Sequence, residues 1–382
     1  MKGRGRLTTA RSWWNARYFC ALAGVVVGTL IWSGSALGRV RAVAFPPTLG
    51  ALIRTLRPPQ QASSALPVTV ELLEPGYTFS AFAHDCMGGM EFLPDGDLVC
   101  LDQAARLYRF DANGDGTPPG EQTLAQPFSG SNIFGAFVKR APDNSFLLVA
   151  ESSFGQLVRI DTGTWAVTPV ATIQQPFDAA FLDATHVLLS ANPTGASASL
   201  IRLNLSTGAT QLIATFSGPS GPLALDANCN LFYIRGTFEF PAPPHSHVLL
   251  KFPALLVTEA LQGLRVLSEG DAVTVATLDA GYALAINQWN DRFITNLFGG
   301  IIHRLNRKNF PQDFAQASGG FALFSYLALL HPESPFLAYS GSPTRLAFFM
   351  DDFMQRQVIV VRPQPPKPTR SGCRVEPCGR PR

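Results

Sequence analysis

The chain has 382 residues, 33 of them Gly and 30 Pro, with 15% charged residues and a net charge of +3. That length can bury a large core, and a composition so rich in turn formers favours many short strands over long helices, so an all-β fold is expected. The small net charge conceals an asymmetry: residues 1–60 hold nine Lys/Arg and no acid, 362–382 hold six basic residues against Glu376, and 61–361 carry a net −11. An acidic body argues against nucleic acid as a partner, because binding phosphates needs a basic surface.

The first 38 residues read as an export signal. A basic stretch (Lys2, Arg4, Arg6, Arg11, Arg17) precedes the apolar run "FCALAGVVVGTLIW" and then "SGSALG", with small residues at Ala36 and Gly38. Cleavage after Gly38 is expected, which gives an exported protein (periplasmic, secreted or at the cell surface). The apolar stretch approaches the ~20 residues that span a bilayer, so an uncleaved single-span anchor is the alternative, and the only membrane contact expected. Residues 39–66 are basic and Pro-rich, as in a linker, and 363–382 form a Pro/Arg-rich tail of the same kind.

Between them, 67–362 repeat one pattern: an aliphatic residue, any residue, Arg or Lys, an aliphatic or aromatic residue, often Asp or Asn. It occurs as "LYRFD" at 107, "LVRID" at 157, "LIRLN" at 200 and "LLKFP" at 249. Degenerate copies follow as "IHRLN" from 302 and "VIVVR" from 358, the last without the basic residue. The steps are 50, 43, 49, 53 and 56 residues, the period of a β-propeller with several short strands per blade. Six copies predict six blades.

Each copy is preceded by an apolar strand ("DLVCLD", "FLLVAE", "HVLLSA", "LFYIRG", "RFITNL", "LAFFMD") and, before that, by an inner segment with a tight turn. The inner segments are "GMEFLPDG", "GAFVKRAPDN", "DAAFLDAT", "PLALDANCN", "YALAINQWND" and "FLAYSGSPT". Outer strands such as "STGATQLIATF" make four per blade. The sixth blade has no outer strand of its own, and "PVTVELLEPGYTFSAFA" before the first blade is strand-like and unassigned, so the N-terminal strand is expected to close the ring. Insertions are read at 253–271, with a short helix in "LLVTEALQG", and at 306–331.

Taken together, "PDGDLVCLDQAARLYRFD" and "LLVAESSFGQLVRIDTGTWAVTPVATI" resemble blades of six-bladed propellers of the SMP-30/gluconolactonase/strictosidine synthase-like and NHL-like kind, over residues 75–362. The resemblance implies the propeller fold and, for the lactonase group, a divalent metal on the axis held by Glu, Asn and Asp just before the inner strands. The matching positions here are Gly88, Phe134, Asp178, Ser220, Ala280 and Ser334, of which only Asp178 is of the family type; Asp85 and Asn132 stand nearby. A hard cation takes six or so oxygen ligands, so this is a poor cage.

Asp178, Asp85, Asn132 and Ser220 are therefore the candidates for a ligand-binding face, with Asp178 also the candidate metal ligand. A second candidate is "DANGDGTPPGEQ", which begins like a calcium loop at Asp111, Asn113 and Asp115 but has Gln122 at its twelfth position; the other reading is a solvated turn. His245 and His247 in "PPHSH" either share a strand face as metal ligands or lie in an exposed loop. Glu151 and Asp102 end second strands, where acids bond a neighbouring blade's backbone. No nucleophile motif is present, since G-x-S-x-G is missing and "SGPSG" has no partner His in reach. Beyond the signal, Cys86, Cys100, Cys229, Cys373 and Cys378 are an odd set, with Cys373 and Cys378 the simplest pair.

The expectation is an exported propeller that binds a ligand or an extracytoplasmic protein at the mouth of its channel without catalysis and without a cofactor. The alternatives are a hydrolase of lactones or esters that uses calcium or another divalent cation, and a structural module of a surface assembly.

Overall fold

The computed structural model describes residues 68–129, 135–192, 197–236, 245–330 and 345–364. Two N-terminal strands, β1 (Thr69–Leu72) and β2 (Tyr77–Phe82), precede six four-stranded antiparallel meanders. Blade one holds β3 (Met90–Phe92), β4 (Leu98–Leu101), β5 (Leu107–Phe110) and β6 (Gln122–Ala125); blade two holds β7 (Gly135–Arg140), β8 (Phe146–Glu151), β9 (Gln156–Asp161) and β10 (Val167–Thr172). Blade three is β11 (Pro176–Phe181), β12 (His186–Ala191), β13 (Ser197–Asn204) and β14 (Thr210–Ser217). Blade four is β15 (Leu223–Leu225), β16 (Leu231–Arg235), β17 (His247–Phe252) and β18 (Val273–Leu278), with helix α1 (Ala254–Leu261) between its last two strands where a helix was expected. Blade five is β19 (Gly281–Ile286), β20 (Arg292–Asn296), β21 (Ile301–Leu305) and β22 (Pro311–Ser318). Blade six is β23 (Leu323–Leu330), β24 (Arg345–Asp351) and β25 (Arg356–Pro363), completed by β2.

The protein is thus a six-bladed β-propeller, and the ring closes as the unassigned N-terminal segment implied: Phe79 pairs with Val361 and Phe82 with Val358. One feature differs. The segment read as a single strand divides at Pro75 and Gly76, where Gly76 takes φ +88°, a conformation that L side chains rarely adopt. Its first half, β1, pairs Thr69 with Ser318 and becomes a fifth strand on blade five. The N-terminus therefore seals two neighbouring blades.

The sixth inner strand also differs from expectation. "FLAYSGSPT", with its slot residue Ser334, lies outside the described residues, and the innermost strand is Leu323–Leu330, inside the stretch read as an insertion. The physical reason is hydrophobic: seven of the eight residues of "LFSYLALL" are buried, as the strand nearest the axis and covered on both sides requires.

The repeated basic residue acts across its own hairpin. Arg109 Nε donates to Asp97 Oδ2 at 2.7 Å, and Arg304 pairs with Asp291 at 2.6 Å, each acid standing just before the second strand. In blade two the guanidinium of Arg159 lies 4.1 Å from the ring centre of Phe146 instead. In the sixth blade the corresponding residue, Val360, is buried and pairs with Ser80 of β2.

Between blades the apolar faces interlock. Phe146, Leu148 and Ala150 of blade two pack against Ala179, Val187 and Leu189 of blade three. Near the axis Gly89 takes φ +106°, and a Cβ there would stand 2.8 Å from the backbone N of Val138, so only glycine lets blades one and two approach this closely. Cys86 and Cys100 form a disulfide with a Cα separation of 5.0 Å, and the pair expected in the tail, Cys373 and Cys378, lies outside the described residues. Cys229 is free and exposed. No helix among the described residues is long and apolar enough to cross a membrane.

Candidate ligand site in the central channel

The six inner strands run the same way along the axis, so their first halves surround one end of the channel and their last halves the other. The first end is narrow. Met90, Phe177, Tyr282 and Tyr326 converge there, with Tyr282 edge-on to both Phe177 (5.4 Å) and Tyr326 (5.9 Å), and the space left is about 30 Å³. The Tyr326 hydroxyl donates to the carbonyl of Met87 at 2.8 Å, which ties this aromatic plug to the wall.

The other end widens into a vestibule of about 640 Å³. Blades three to six give it an apolar wall that includes Phe181, Leu225, Ile286 and Leu329; blades one and two bring Glu91, Lys139 and Arg140. Four charged residues stand on inner strands, Glu91, Lys139, Arg140 and Asp178, all from blades one to three. Lys139 and Asp178 form an ion pair at 2.9 Å where the two spaces meet. Burial works against the Lys139 charge, but Asp178 beside it prevails and holds the ammonium above its ordinary value. Burial pushes the Glu91 carboxyl up, and neither Lys139, Arg140 nor the N–H of Phe92, which donates to Oε1 at 3.0 Å, brings it back. Arg140 Nη1 donates to Asn144 Oδ1 at 2.6 Å at the rim.

The residues singled out from the sequence are placed as follows. Asp178 is on the channel but buried and engaged: besides Lys139 it accepts the N–H of Ala179 on Oδ1 (2.9 Å) and of Leu223 on Oδ2 (3.0 Å). Asp85 lies in the seam between blades six and one, paired with Arg356 at 2.8 Å, and burial raises its pKa although Arg356 opposes the shift. Ser220 is buried, and its hydroxyl has no hydrogen-bond partner among the described residues. Asn132 lies outside the described residues, as does Phe134. Of the described candidates, Asp178 is the one that lines the channel.

Among the described residues the donor set before the inner strands does not fit an axial hard cation. A Cβ at Gly88 would meet Leu101 at 2.6 Å, Ala280 is buried without a donor, and the carboxylate of Asp178 is spent on Lys139 and two backbone N–H groups. Among the described residues no group of three or more His, Cys, Asp or Glu is arranged to hold a metal. In the 111–122 loop the acids turn onto their own backbone: Asp111 accepts from Gly114 and Gly116, and Asp115 Oδ1 accepts from Thr117 at 2.8 Å, the geometry of an Asx-rich turn. His245 is exposed in a turn and His247 is buried at the start of β17. Asp102 and Glu151 do bond backbone, but within their own hairpins: Asp102 accepts the N–H of Arg106 at 2.8 Å and Glu151 that of Ser153 at 2.9 Å. A carboxylate at the end of the second strand reaches the following turn more easily than a separate blade.

Sequence reasoning missed Glu91, Lys139 and Arg140. The signal was present, because "MEF" and "FVKR" put charges into strands that must stand nearest the axis, whereas "LAL", "GYALAI" and "LFSYLALL" carry none.

No family model matches the chain, and no curated protein matches it in sequence. Among solved structures the chain is similar to a gluconolactonase from Xanthomonas campestris, with 11% identity and a TM-score of 0.51 over 79% of this chain and 99% of that one. It is also similar to regucalcin, a calcium-binding protein from Agrobacterium tumefaciens (14% identity, TM-score 0.48, 72% and 90%). A third is virginiamycin B lyase from Staphylococcus aureus (9% identity, TM-score 0.46, 75% and 99%). At such identities the likeness is one of fold: the chain has the six-bladed architecture of the SMP-30/gluconolactonase propellers, as its blades suggested. Fold does not carry chemistry with it.

Proposed function

We propose that the protein binds a small organic ligand in the vestibule at the wide end of its channel, and does so without catalysis. The observation that carries this reading is the vestibule itself, about 640 Å³ with an apolar wall on one side and three charged side chains on the other. Ligand pockets run from roughly 300 to 1,000 Å³ and pair apolar walls with a few polar groups. The aromatic plug makes the vestibule a blind pocket, so the ligand enters and leaves by the rim that carries Arg140 and Asn144.

The test is titration with N-phenyl-1-naphthylamine, a neutral apolar fluorophore that brightens out of water. Saturable binding that is lost in Ala180→Trp, which fills the vestibule, is the expected result; no binding would overturn the reading. The competing reading, hydrolysis of sugar lactones with a divalent metal, requires turnover of gluconolactone that stops on chelation. That outcome would replace the binder with an enzyme.

We also propose that the protein works outside the cytoplasm. The N-terminal pattern of basic, apolar and small residues supports this, as does the buried Cys86–Cys100 disulfide, since such bonds persist in oxidising compartments. N-terminal sequencing of the exported protein should begin at Arg39, and an intact Met1 in the membrane fraction would show an anchor instead.

A further inference from the structure

We propose that the vestibule's ligand is a zwitterion with an apolar body, of the α-amino acid kind: an ammonium and a carboxylate on one carbon, facing blades one and two, and a hydrocarbon portion facing blades three to six. This rests on the reading of the vestibule as a binding site and specifies what it takes.

The division of the wall sets the shape of the ligand. Ala179, Phe181, Leu225, Ile286 and Leu329 offer no hydrogen bonds, so whatever lies against them must be apolar. The opposite wall is charged with both signs. Among the described residues that line the vestibule, Glu91 is the acid and Lys139 and Arg140, one position apart on β7, are the bases. The described wall thus offers a carboxylate for a cation and ammonium and guanidinium groups for an anion, and a ligand with one charge uses only one side of it in a partly desolvated space. A ligand that carries both signs uses both.

The two signs are close together. Glu91 accepts the N–H of Phe92 and takes part of its stabilisation from the backbone of Arg140, so its carboxylate stands beside the segment that bears the two bases. A head group that meets both signs there carries them close together. The state of Glu91 points the same way: burial holds its carboxyl above the ordinary carboxylate range although two bases are near, which means that its charge is under-compensated and gains from a further cation. Lys139, by contrast, has its partner in Asp178 and two N–H donors left for an oxyanion.

Three probes share one six-carbon tail and differ only in the head: 2-aminooctanoic acid, octanoate and heptylamine. Calorimetric titration of the intact wild-type protein with each, and with N-phenyl-1-naphthylamine, is the experiment. The amino acid is expected to bind at least about tenfold more tightly than either singly charged probe, one charged contact being worth that much. Glu91→Gln is expected to reduce amino acid affinity by about tenfold while octanoate binds no more weakly than before. If octanoate or heptylamine matches or exceeds the amino acid while the naphthylamine binds, the ligand class is wrong and the vestibule remains a binding site. If none of the four binds, both readings fall. The wild-type ranking decides the matter without the variant.

Discussion

Lys139 Nζ lies 2.9 Å from Asp178 Oδ1, across the gap between the inner strands of the second and third blades. The other oxygen of the same carboxylate accepts the N–H of Leu223 on the fourth blade at 3.0 Å. One buried side chain thus joins three blades where the channel changes from narrow to wide, and its role differs from that of a residue on a ligand-binding face, which is how the sequence alone reads.

The consequence is a stability effect. Asp178→Ala leaves the Lys139 ammonium without its partner and the Leu223 N–H without an acceptor; removal of one member of a fully buried pair costs about 3–5 kcal/mol, and the partly exposed Lys139 places this pair below that range. Chemical denaturation should therefore show a large loss, in contrast to the ~0.5 kcal/mol of an ordinary surface charge. The double variant Lys139→Met with Asp178→Leu should recover much of it, because no lone charge stays buried. A single variant as stable as wild type would show that the pair is not formed.

Ring closure makes a second prediction. Removal of residues 1–60 leaves both N-terminal strands, whereas removal of 1–84 takes β2 from blade six and β1 from blade five and exposes two sheet edges. It also removes Glu74, whose carboxylate bonds Arg304 on blade five. The longer truncation should melt far below the shorter or aggregate, as unpaired edges do. Equal melting temperatures would refute the closure.

The blades were legible because each closes locally: "LVRID" and its partners are hairpin neighbours, and the turn residues between them show in a short window. The rest depended on contacts remote in sequence. The pairing of Thr69 with Ser318 leaves no local trace, so β1 merged with β2 in the reading. The sixth inner strand was displaced because "FLAYSGSPT" imitates the small-residue and turn pattern of the other inner segments, while "LFSYLALL" is joined to β24 through residues 331–344. For the site, residue type misled. Asp178 drew notice as the one family-type ligand, whereas Glu91, Lys139 and Arg140 acquire meaning only when six strands close around an axis.

The disulfide offers a third test. Cys86 and Cys100 are 14 residues apart, and a cross-link closing a loop of that length stabilises by about 3 kcal/mol in the chain-entropy account. It fastens the approach to β3 onto β4, beside the hydroxyl of Tyr108, which donates to the carbonyl of Asp85 at 3.0 Å. Cys86→Ala with Cys100→Ala should lower the melting temperature clearly, and wild-type protein should show the same loss under reductant. A reductant-insensitive melting temperature in wild type would mean that the bond does not form.

Glu91 gives a pH dependence of defined sign. Its carboxyl is raised in the folded protein by burial, against the pull of Lys139 and Arg140, so between its unfolded and folded values the folded state binds more protons. Stability from this group is therefore fully present below the unfolded value and declines as pH rises through the folded one. Glu91→Gln has no proton to lose and keeps its stability over the same interval. The melting temperature of the variant relative to wild type should accordingly climb from about pH 4 upward and level off once Glu91 is ionised in both states. The reverse slope would mean that Lys139 and Arg140 outweigh burial at this position, and that Glu91 already has in these two bases the counter-charge that the ligand's ammonium is proposed to supply.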